Sequence, residues 1–332
     1  MNIIYNLAFL LLLQFPFAST KYPLPDSQQK LNKSKAGAVN IVFKSADGGK
    51  TWQDISEGLP EKLQDDAIQR DGFFANDNGF YLRVGNGIYQ SKPTSTAPFW
   101  EREIFPYQQG SIATAKDGIF AYSYWAGQFL QKINGTIIWS PVYANFQVKE
   151  IRTVFETAGG IVFIGCDKGL FKSTDGGKTW KQVLTRGWVI KLVESNGVLM
   201  ATSQNGIIRS TDDGESWDCV LNEGGVGIAI ERIEGGFAAI TCNTESMTRR
   251  VRTSYDGGKT WQPIDAGLPA DLRTASIIQV GEDFFCGHPA GIFRSSDKGK
   301  TWKLLLPSIE NKVFNLFVSG NVIYAIARNG GC

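Results

Sequence analysis

The sequence predicts an all-β protein, a seven-bladed β-propeller built from four-stranded antiparallel blades. Three observations carry this prediction. The pattern Ser-x-Asp-x-Gly-x-Thr/Ser-Trp occurs five times in the 332 residues. Tryptophans recur at spacings of 37 to 48 residues, and short alternating apolar runs are separated by Asn-Gly and Gly-Gly turns, with no sustained helical period after residue 38. Repeats of roughly 40 residues, each reading as four short strands, are typical of propeller blades.

The repeated pattern, called the box below, marks five of the seven units. Its copies are Ser45–Trp52, Ser173–Trp180, Ser210–Trp217, Ser254–Trp261 and Ser295–Trp302. Two degenerate copies fill the remaining gaps. In one, a strand predicted at 87–91 leads through a different turn to Trp100; in the other, a strand predicted at 127–131 leads through Asn134-Gly135 to Trp139. Seven units of about 42 residues therefore fill residues 39–332.

One unit illustrates the predicted blade. Its four strands span residues 189–194, 198–203, 207–210 and 216–221, separated by Asn-Gly turns and by the box. Such consecutive hairpins form an antiparallel sheet. The first unit shows only an outer pair, at 40–45 and 51–55, and the carboxyl end supplies an inner pair at 313–319 and 322–327. We therefore predict that the last strands complete the first blade and close the ring, which removes exposed sheet edges.

The amino terminus precedes the predicted propeller. Residues 7–17 are uncharged and mostly apolar, too few to span a membrane, and Ala18 and Ser19 follow as small residues. This pattern predicts a signal peptide at 1–19, with an uncleaved anchor as the alternative. The polar stretch 20–38 is predicted to be a flexible leader. We expect an exported monomer, periplasmic, cell-surface or secreted, without a transmembrane span after cleavage.

Composition excludes several classes of function. Because the sequence contains 34 basic and 32 acidic residues, the chain lacks the broad positive field of a nucleic-acid binder. A single histidine leaves little scope for a histidine-based metal site or relay, so neither a metal nor a cofactor is expected. The five cysteines contain no Cys-x-x-Cys pair. At the ends of predicted second strands in neighbouring blades, Cys242 and Cys286 can form a disulfide or remain small buried apolar groups.

The box has a structural explanation in every part. Its aspartate can accept hydrogen bonds from backbone N–H groups of the turn, its glycines permit positive φ, and its tryptophan supplies apolar area at the blade edge. These residues are Asp47, Asp175, Asp212, Asp256, Asp297, Trp52, Trp180, Trp217, Trp261 and Trp302. The five copies resemble the Asp-box, or bacterial neuraminidase (BNR) repeat, of sialidase-like proteins. That resemblance implies a peripheral, non-catalytic role for the box.

The resemblance spans proteins of different function. Sialidases have six blades and an Arg-Ile-Pro motif that this sequence lacks, and xyloglucanase-type glycosidases pair two seven-bladed propellers where this chain has one. Single propellers similar to photosystem II stability and assembly factors are closer, which implies an architecture and a binding role. An exported, non-catalytic binding or assembly module is therefore the preferred hypothesis. A divergent, sialidase-like glycoside hydrolase and an envelope component that docks a protein partner are the alternatives.

Candidate binding residues are expected on one face of the ring. The box turns and the first-to-second strand turns lie on one face, the box face. Blade-to-blade connections and second-to-third strand turns lie on the other, the loop face. Aromatic and basic side chains there can stack on sugars, hold carboxylates or anchor an acidic protein loop, so a protein or glycan ligand is expected. The residues are Trp125, Trp188, Arg152, Arg186, Arg273, Arg328 and His288, joined by Arg70, Lys149, Arg249 and Arg250.

No catalytic set stands out in the sequence. Neighbouring acids occur at Asp65-Asp66, Asp212-Asp213 and Glu282-Asp283, and only the first pair is placed on the loop face. A glycosidase needs two carboxyl groups positioned across its substrate, and no spacing identifies such a pair. The sequence also contains no nucleophile elbow and no phosphate-binding glycine loop. No catalytic residue is therefore predicted.

Overall fold

The structure, a computed structural model, describes residues 40–60, 68, 72–84, 87–105, 110–142, 150–271 and 273–329. Within these ranges the chain forms seven antiparallel sheets of four strands and no helix. The seven-bladed all-β prediction is therefore confirmed. The predicted signal peptide at 1–19 and leader at 20–38 lie outside the described residues.

The blades are numbered along the chain, and blade 1 joins both ends of it. Blade 1 contains β1 (Val42–Ser45), β2 (Gln53–Asp54), β27 (Val313–Ser319) and β28 (Val322–Arg328). Blade 2 contains β3 (Phe73–Asn76), β4 (Gly79–Val84), β5 (Gly87–Ser91) and β6 (Glu101–Ile104). Blade 3 contains β7 (Ser111–Ala115), β8 (Gly118–Tyr122), β9 (Phe129–Ile133) and β10 (Trp139–Pro141).

Blades 4 to 7 follow without interruption of the pattern. Blade 4 contains β11 (Ile151–Glu156), β12 (Val162–Cys166), β13 (Gly169–Ser173) and β14 (Lys181–Leu184). Blade 5 contains β15 (Val189–Ser195), β16 (Val198–Ser203), β17 (Gly206–Ser210) and β18 (Asp218–Leu221). Blade 6 contains β19 (Gly225–Ile233), β20 (Gly236–Asn243), β21 (Thr248–Ser254) and β22 (Gln262–Pro263). Blade 7 contains β23 (Ser276–Val280), β24 (Asp283–His288), β25 (Gly291–Ser295) and β26 (Lys303–Pro307).

The ring is closed by pairing the two ends of the chain, as predicted. Strand β1 pairs with β28 in antiparallel register, Val42 opposite Ile326 and Ser45 opposite Ile323. The innermost strand of each blade contacts those of its two neighbours, and these seven strands surround a central channel. Strand order within a blade therefore runs from the channel to the periphery, and the last two strands of the chain hold the innermost places of blade 1.

The hydrophobic core is divided among the contacts between adjacent blades. Each of seven buried clusters combines residues of two neighbouring blades. At the closing junction, the ring of Phe80 in blade 2 stacks on that of Tyr324 in blade 1, with centroids 5.1 Å apart. Because burial of apolar surface between blades is the main stabilising interaction, no blade has an independent core.

The second glycine of each box lies against the preceding blade. A Cβ atom on Gly214 would stand 2.4 Å from Cζ of Phe163 in blade 4, and the φ of Gly214 is +81°. Gly49, Gly177, Gly258 and Gly299 make the same close approach to side chains of the blade before theirs. The glycine is therefore needed both for its positive φ and for blade packing.

Two predicted strand positions were wrong in detail. The third strand of blade 3 spans Phe129–Ile133 rather than 127–131, because Gly127 has a φ of +62° and belongs to the preceding turn. Outermost strands are also shorter than predicted, with only Gln53–Asp54 in blade 1 and Asp218–Leu221 in blade 5. In both cases the box turn extends through its tryptophan before sheet pairing begins.

Candidate functional site

The five box turns are held by one repeated set of local hydrogen bonds. In blade 4, Asp175 accepts a bond of 2.8 Å from the Ser173 hydroxyl, one of 2.6 Å from the Thr179 hydroxyl and one of 2.9 Å from the Thr179 N–H. The aspartates at 47, 212, 256 and 297 accept the equivalent bonds. Every box carboxylate is thus committed to its own turn.

These bonds keep the box carboxylates ionised. The hydrogen bond from the Thr179 hydroxyl is the main cause that lowers the pKa of Asp175 to about 2, and Thr301 has the same effect on Asp297, also to about 2. A general acid needs a raised pKa, so a box aspartate is unsuited to proton donation. Three box tryptophans also bond to their own turns: the indoles of Trp52, Trp180 and Trp217 donate to the carbonyl of the second box glycine at 2.9 to 3.1 Å.

On the loop face, three of the predicted binding residues come together at the junction of blades 3, 4 and 5. The guanidinium carbon of Arg152 lies 5.3 Å from the ring centroid of Tyr124 and 6.0 Å from that of Trp188. The Trp125 ring meets Tyr124 edge to face, with centroids 4.7 Å apart. Trp125 itself is 78% exposed. Trp125, Trp188 and Arg152 thus belong to one cluster, bridged by Tyr124.

Asp167 joins this cluster and fixes its geometry. Its carboxylate forms an ion pair with Nε of Arg152 and accepts a 2.7 Å bond from the Tyr124 hydroxyl. Arg152 also contacts two rings, so its position is defined from three sides. We name these five residues, Tyr124, Trp125, Arg152, Asp167 and Trp188, the loop-face cluster.

These contacts determine the ionisation states of Asp167 and Tyr124. Partial burial raises the pKa of Asp167, but the hydrogen bonds from Arg152 and Tyr124 outweigh it and the net pKa is lowered. The hydrogen bond to Asp167 raises the pKa of the Tyr124 phenol. At neutral pH the cluster therefore presents a carboxylate, a guanidinium and a neutral phenol beside an exposed indole.

Sequence reasoning missed Tyr124 and Asp167. Both lie in turns between second and third strands of neighbouring blades, the same type of turn that drew attention to Trp125. The sequence signal for these two residues is the Tyr124-Trp125 pair in one such turn, followed by Asp167 in the corresponding turn of the next blade. It is weak, because only the ring geometry brings the two turns within hydrogen-bonding distance.

The other predicted arginines do not join the cluster. Arg186 is exposed in the connection between β14 and β15. Arg273 is exposed and pairs with Asp271 at 3.5 Å. The guanidinium carbon of Arg328, the last residue of β28 in blade 1, lies 5.4 Å from the Phe73 ring centroid. The predicted arginines are therefore spread around the face rather than gathered at one point.

His288 is not a solvated loop residue. It ends β24, is only 2% exposed, and packs against the Phe293 ring. Its Nε2 lies 3.0 Å from the Pro269 carbonyl and its Nδ1 accepts from the Ala290 N–H at 3.0 Å. Burial is the main cause that lowers its pKa. With both ring nitrogens engaged, His288 stabilises the local turn, and we leave it out of the proposed site.

Arg249 and Arg250 are also committed to protein groups. Arg249 is buried and donates to the Thr274 carbonyl. Arg250 binds Asp265 through two bonds, of 2.8 and 3.2 Å. Arg70, Lys149 and the Asp65-Asp66 pair lie outside the described residues. Within the described residues the basic loop-face groups thus differ widely in how accessible they are.

Cys242 and Cys286 are buried free thiols in the core shared by blades 6 and 7, so the considered disulfide is not formed. Among the described residues, no group of three or more His, Cys, Asp or Glu side chains is arranged to hold a metal ion. The described part of the chain contains no helix that is long and apolar enough to cross a membrane.

Comparison with known families identifies the repeat. Residues 292–305 match the BNR-Asp box repeat family, and residues 171–182 and 252–263 match the BNR/Asp-box repeat family. These segments correspond to three of the five boxes found above. No curated protein sequence gives a match.

Solved structures share the fold at low sequence identity. The extracellular domain of BT4673 from B. thetaiotaomicron is 12% identical with a TM-score of 0.58, and the match covers 78% of this chain and 36% of that one. YCF48 bound to D1 peptide is 13% identical with a TM-score of 0.52, over 79% and 96% of the two chains. The GH74 enzyme of Niastella koreensis is 16% identical with a TM-score of 0.55, over 73% and 46%.

These likenesses are evidence of fold alone, because proteins on the same propeller scaffold differ in function. The chain spans only 36% of the BT4673 domain but nearly all of YCF48 in length. Together with the five boxes and the closed ring of seven blades, the comparisons define the architecture. The chain is a seven-bladed β-propeller that carries BNR/Asp-box repeats.

Proposed function

We propose that this protein is an exported, non-catalytic binding module that holds a protein or glycan ligand on the loop face of its propeller. The observation that carries the proposal is Trp125, a large aromatic side chain left 78% exposed beside an ordered set of polar groups. Exposed tryptophans are costly to solubility and are enriched where proteins bind partners.

The loop-face cluster is organised before a ligand arrives. Arg152 is held by Asp167 and by the rings of Tyr124 and Trp188, so little side-chain entropy remains to be lost on binding. An aromatic surface next to a fixed carboxylate and guanidinium suits two ligand types. It can stack on a sugar ring while hydrogen-bonding its hydroxyls, or it can take an apolar side chain and a polar backbone group of a peptide.

Two further observations support export and binding. Residues 1–19 have the composition of a secretory signal. Among the solved structures of similar fold, one is an extracellular domain and another is bound to a peptide. These neighbours make an extracytoplasmic binding role reasonable for this scaffold, and the ligand of this chain is to be found by experiment.

The test measures ligand capture with the aromatic groups removed. The full mature chain and the Trp125→Ala/Trp188→Ala double variant are applied to a glycan array and, separately, to extract of the native host. We expect the double variant to lose at least about tenfold in affinity for whatever the parent protein binds, because two stacking surfaces are removed. Equal binding by both proteins would contradict the loop-face site.

A matched control is available on the opposite face. Tyr255 lies in the box turn of blade 6 and is 52% exposed, so it is an accessible aromatic outside the cluster. Tyr255→Ala is expected to bind like the parent protein. A loss equal to that of the double variant would indicate non-specific adhesion through exposed aromatics.

The alternative, a divergent glycoside hydrolase, has one observation in its favour. Two loop-face acidic residues, Asp167 and Glu150, contact Tyr124: the Asp167 carboxylate accepts from the Tyr124 hydroxyl, and the Glu150 backbone N–H donates to the Tyr124 carbonyl at 2.7 Å. A glycosidase acid, however, needs a raised pKa, whereas that of Asp167 is lowered. Sialosides and a panel of glycans incubated with the protein should stay intact. Turnover that is abolished by Asp167→Asn or Glu150→Gln would overturn the binding-module proposal.

A further inference from the structure

At three junctions between blades, a side chain on an innermost strand closes onto the first turn of the preceding blade. The side chain belongs to one of the last two paired residues of its strand, and it accepts a hydrogen bond from a backbone N–H at the start of the neighbouring turn. The pairs are Glu156 with the Lys116 N–H at 2.8 Å, Glu194 with the Ala158 N–H at 2.9 Å, and Gln279 with the Glu234 N–H at 2.8 Å. We call this contact the turn clamp.

The junction between blades 5 and 6 lacks the clamp. The register places Arg232 at the clamp position of β19, since Ile233 is the last paired residue there, and Asn196 is the first turn residue of blade 5. Arginine has only donors and cannot accept from an N–H group. Arg232 is exposed and, within the part of the chain that the structure describes, has no hydrogen bond or ion pair.

Two cavities meet at this junction, which is one of those without the clamp. A polar recess of about 470 Å³ on the box face is lined by Ser195, Asn196, Arg232, Glu234 and Gln279. The central channel, of about 460 Å³, shares Arg232 and Gln279 with that recess. Both volumes fall in the range of small-molecule sites.

The channel wall is largely apolar. Rings of three blades line it, Phe74, Phe155 and Phe317, together with the aliphatic Val193 and Ile278. Its charged pair, Lys191 and Glu231, is internally neutralised by a short ion pair. An apolar compartment therefore opens directly onto a polar recess, and Arg232 stands at the boundary.

The charges around the recess indicate a singly charged head group. Arg232 brings one positive charge, and the Glu234 carboxylate also lines the recess. A dianion would be repelled by Glu234 more strongly than a monoanion would. Asn196, whose backbone N–H corresponds to the donors of Lys116 and Glu234 at the clamped junctions, also lines the recess.

We propose that this channel and recess bind a small amphiphile with a carboxylate head group and an apolar tail. The carboxylate pairs with Arg232 and takes the place of the missing clamp acceptor at Asn196, while the tail lies along the channel. The recess is on the opposite face from the loop-face cluster, so this proposal can be tested independently of the proposed function.

The test measures binding of octanoate by titration calorimetry to the parent protein and to Arg232→Gln. Glutamine restores an acceptor at the clamp position, as Gln279 provides one at the next junction, and it removes the cation. We expect octanoate affinity to fall at least about tenfold while the melting temperature stays equal or rises, because a hydrogen bond between blades is gained. Arg186→Gln, which removes an exposed loop-face arginine, is the matched control and should bind octanoate like the parent.

The chemistry of the ligand is tested with four other probes. Octanoate should bind at least about tenfold more tightly than acetate, because burial of each methylene is favourable, and more tightly than octanol or octylamine. Equal affinity for acetate would overturn the role of the channel, and equal affinity for octylamine the role of Arg232. Tighter binding of octyl phosphate would overturn the carboxylate assignment. Absence of octanoate binding, or full binding by Arg232→Gln, would overturn the site.

Discussion

Two kinds of carboxylate are held in this propeller by the same chemistry over different distances in the chain. Asp175 in a box accepts bonds from residues two positions before it and four after it. Asp167 in the loop-face cluster accepts from Tyr124, 43 residues away, and from Arg152, 15 residues away. Both carboxylates have a lowered pKa. The first contact exists wherever the turn forms, and the second only when the ring is assembled.

This difference distinguishes the contacts of the box turns from those of the loop face. Five of the seven blades carry the same box turn on the box face, and the second glycine of each box packs on the preceding blade. The loop face has no such repeat, and its contacts vary from blade to blade, from the buried Arg249 to the exposed Arg186. We therefore expect substitutions in the box turns to act on folding, and those in the loop-face cluster to act on binding.

The largest expected effect comes from opening the ring. Removal of the last fifteen residues deletes β28, which pairs with β1 and packs on blade 2. We expect the melting temperature to fall by more than about 10 °C, because two blade interfaces and the closure are lost together. Removal of residues 330–332 alone is the control. A truncated protein with the melting curve of the parent would show that local turns suffice to hold the blades.

The next effect compares two glycines at equivalent box turns. Gly214→Ala places a Cβ 2.4 Å from Phe163 at a φ of +81°, whereas Gly176→Ala meets nothing within 4 Å at a φ of +70°. We expect losses of about 3 kcal/mol for Gly214→Ala, from strain plus overpacking, and about 1 kcal/mol for Gly176→Ala, from strain alone. Urea unfolding measures both. Equal losses would mean that the box glycine serves only the turn conformation.

A smaller effect is the acid sensitivity of the box. The pKa of Asp175 is lowered from 3.8 to about 2 by its hydrogen bonds, so its contribution is fully present above pH 4 and is lost as the pH falls towards 2. In the Asp175→Asn variant the melting temperature should decline less steeply across this window than in the parent protein. Parallel declines would show that the carboxylate is ionised no more readily when folded than when unfolded.

The smallest effect on stability is expected at Asp167. Asp167→Asn breaks a partly exposed ion pair, and we expect a loss below about 1 kcal/mol. The pKa of Tyr124 should fall towards its ordinary value, because the hydrogen bond to a carboxylate is what raises it. NMR titration of labelled tyrosine reports this directly, with Tyr255, which is on the opposite face, as the internal reference. An unchanged Tyr124 titration would contradict the described hydrogen bond.

The sequence predicted the architecture because its determinants are local and repeated. Asp47 and its equivalents form hydrogen bonds with residues at most four positions away, and the spacing of these aspartates along the chain predicts the blades. The closure of the ring was also predicted, because the first unit lacks its inner pair of strands and the carboxyl end supplies an additional pair. Degenerate blades were located less well: the third strand of blade 3 was displaced by two residues because Gly127 belongs to the turn.

The tertiary structure alone decided which side chains meet. That Trp125, Arg152 and Trp188 share one cluster, that Asp167 joins it, that His288 is buried, and that Arg232 stands where channel and recess meet depend on contacts between turns of different blades. Such contacts have no fixed spacing in the chain, because they depend on how adjacent blades are rotated around the ring. The sequence by itself therefore determined a scaffold and its closure, and the assembled ring determined which side chains lie together on its two faces.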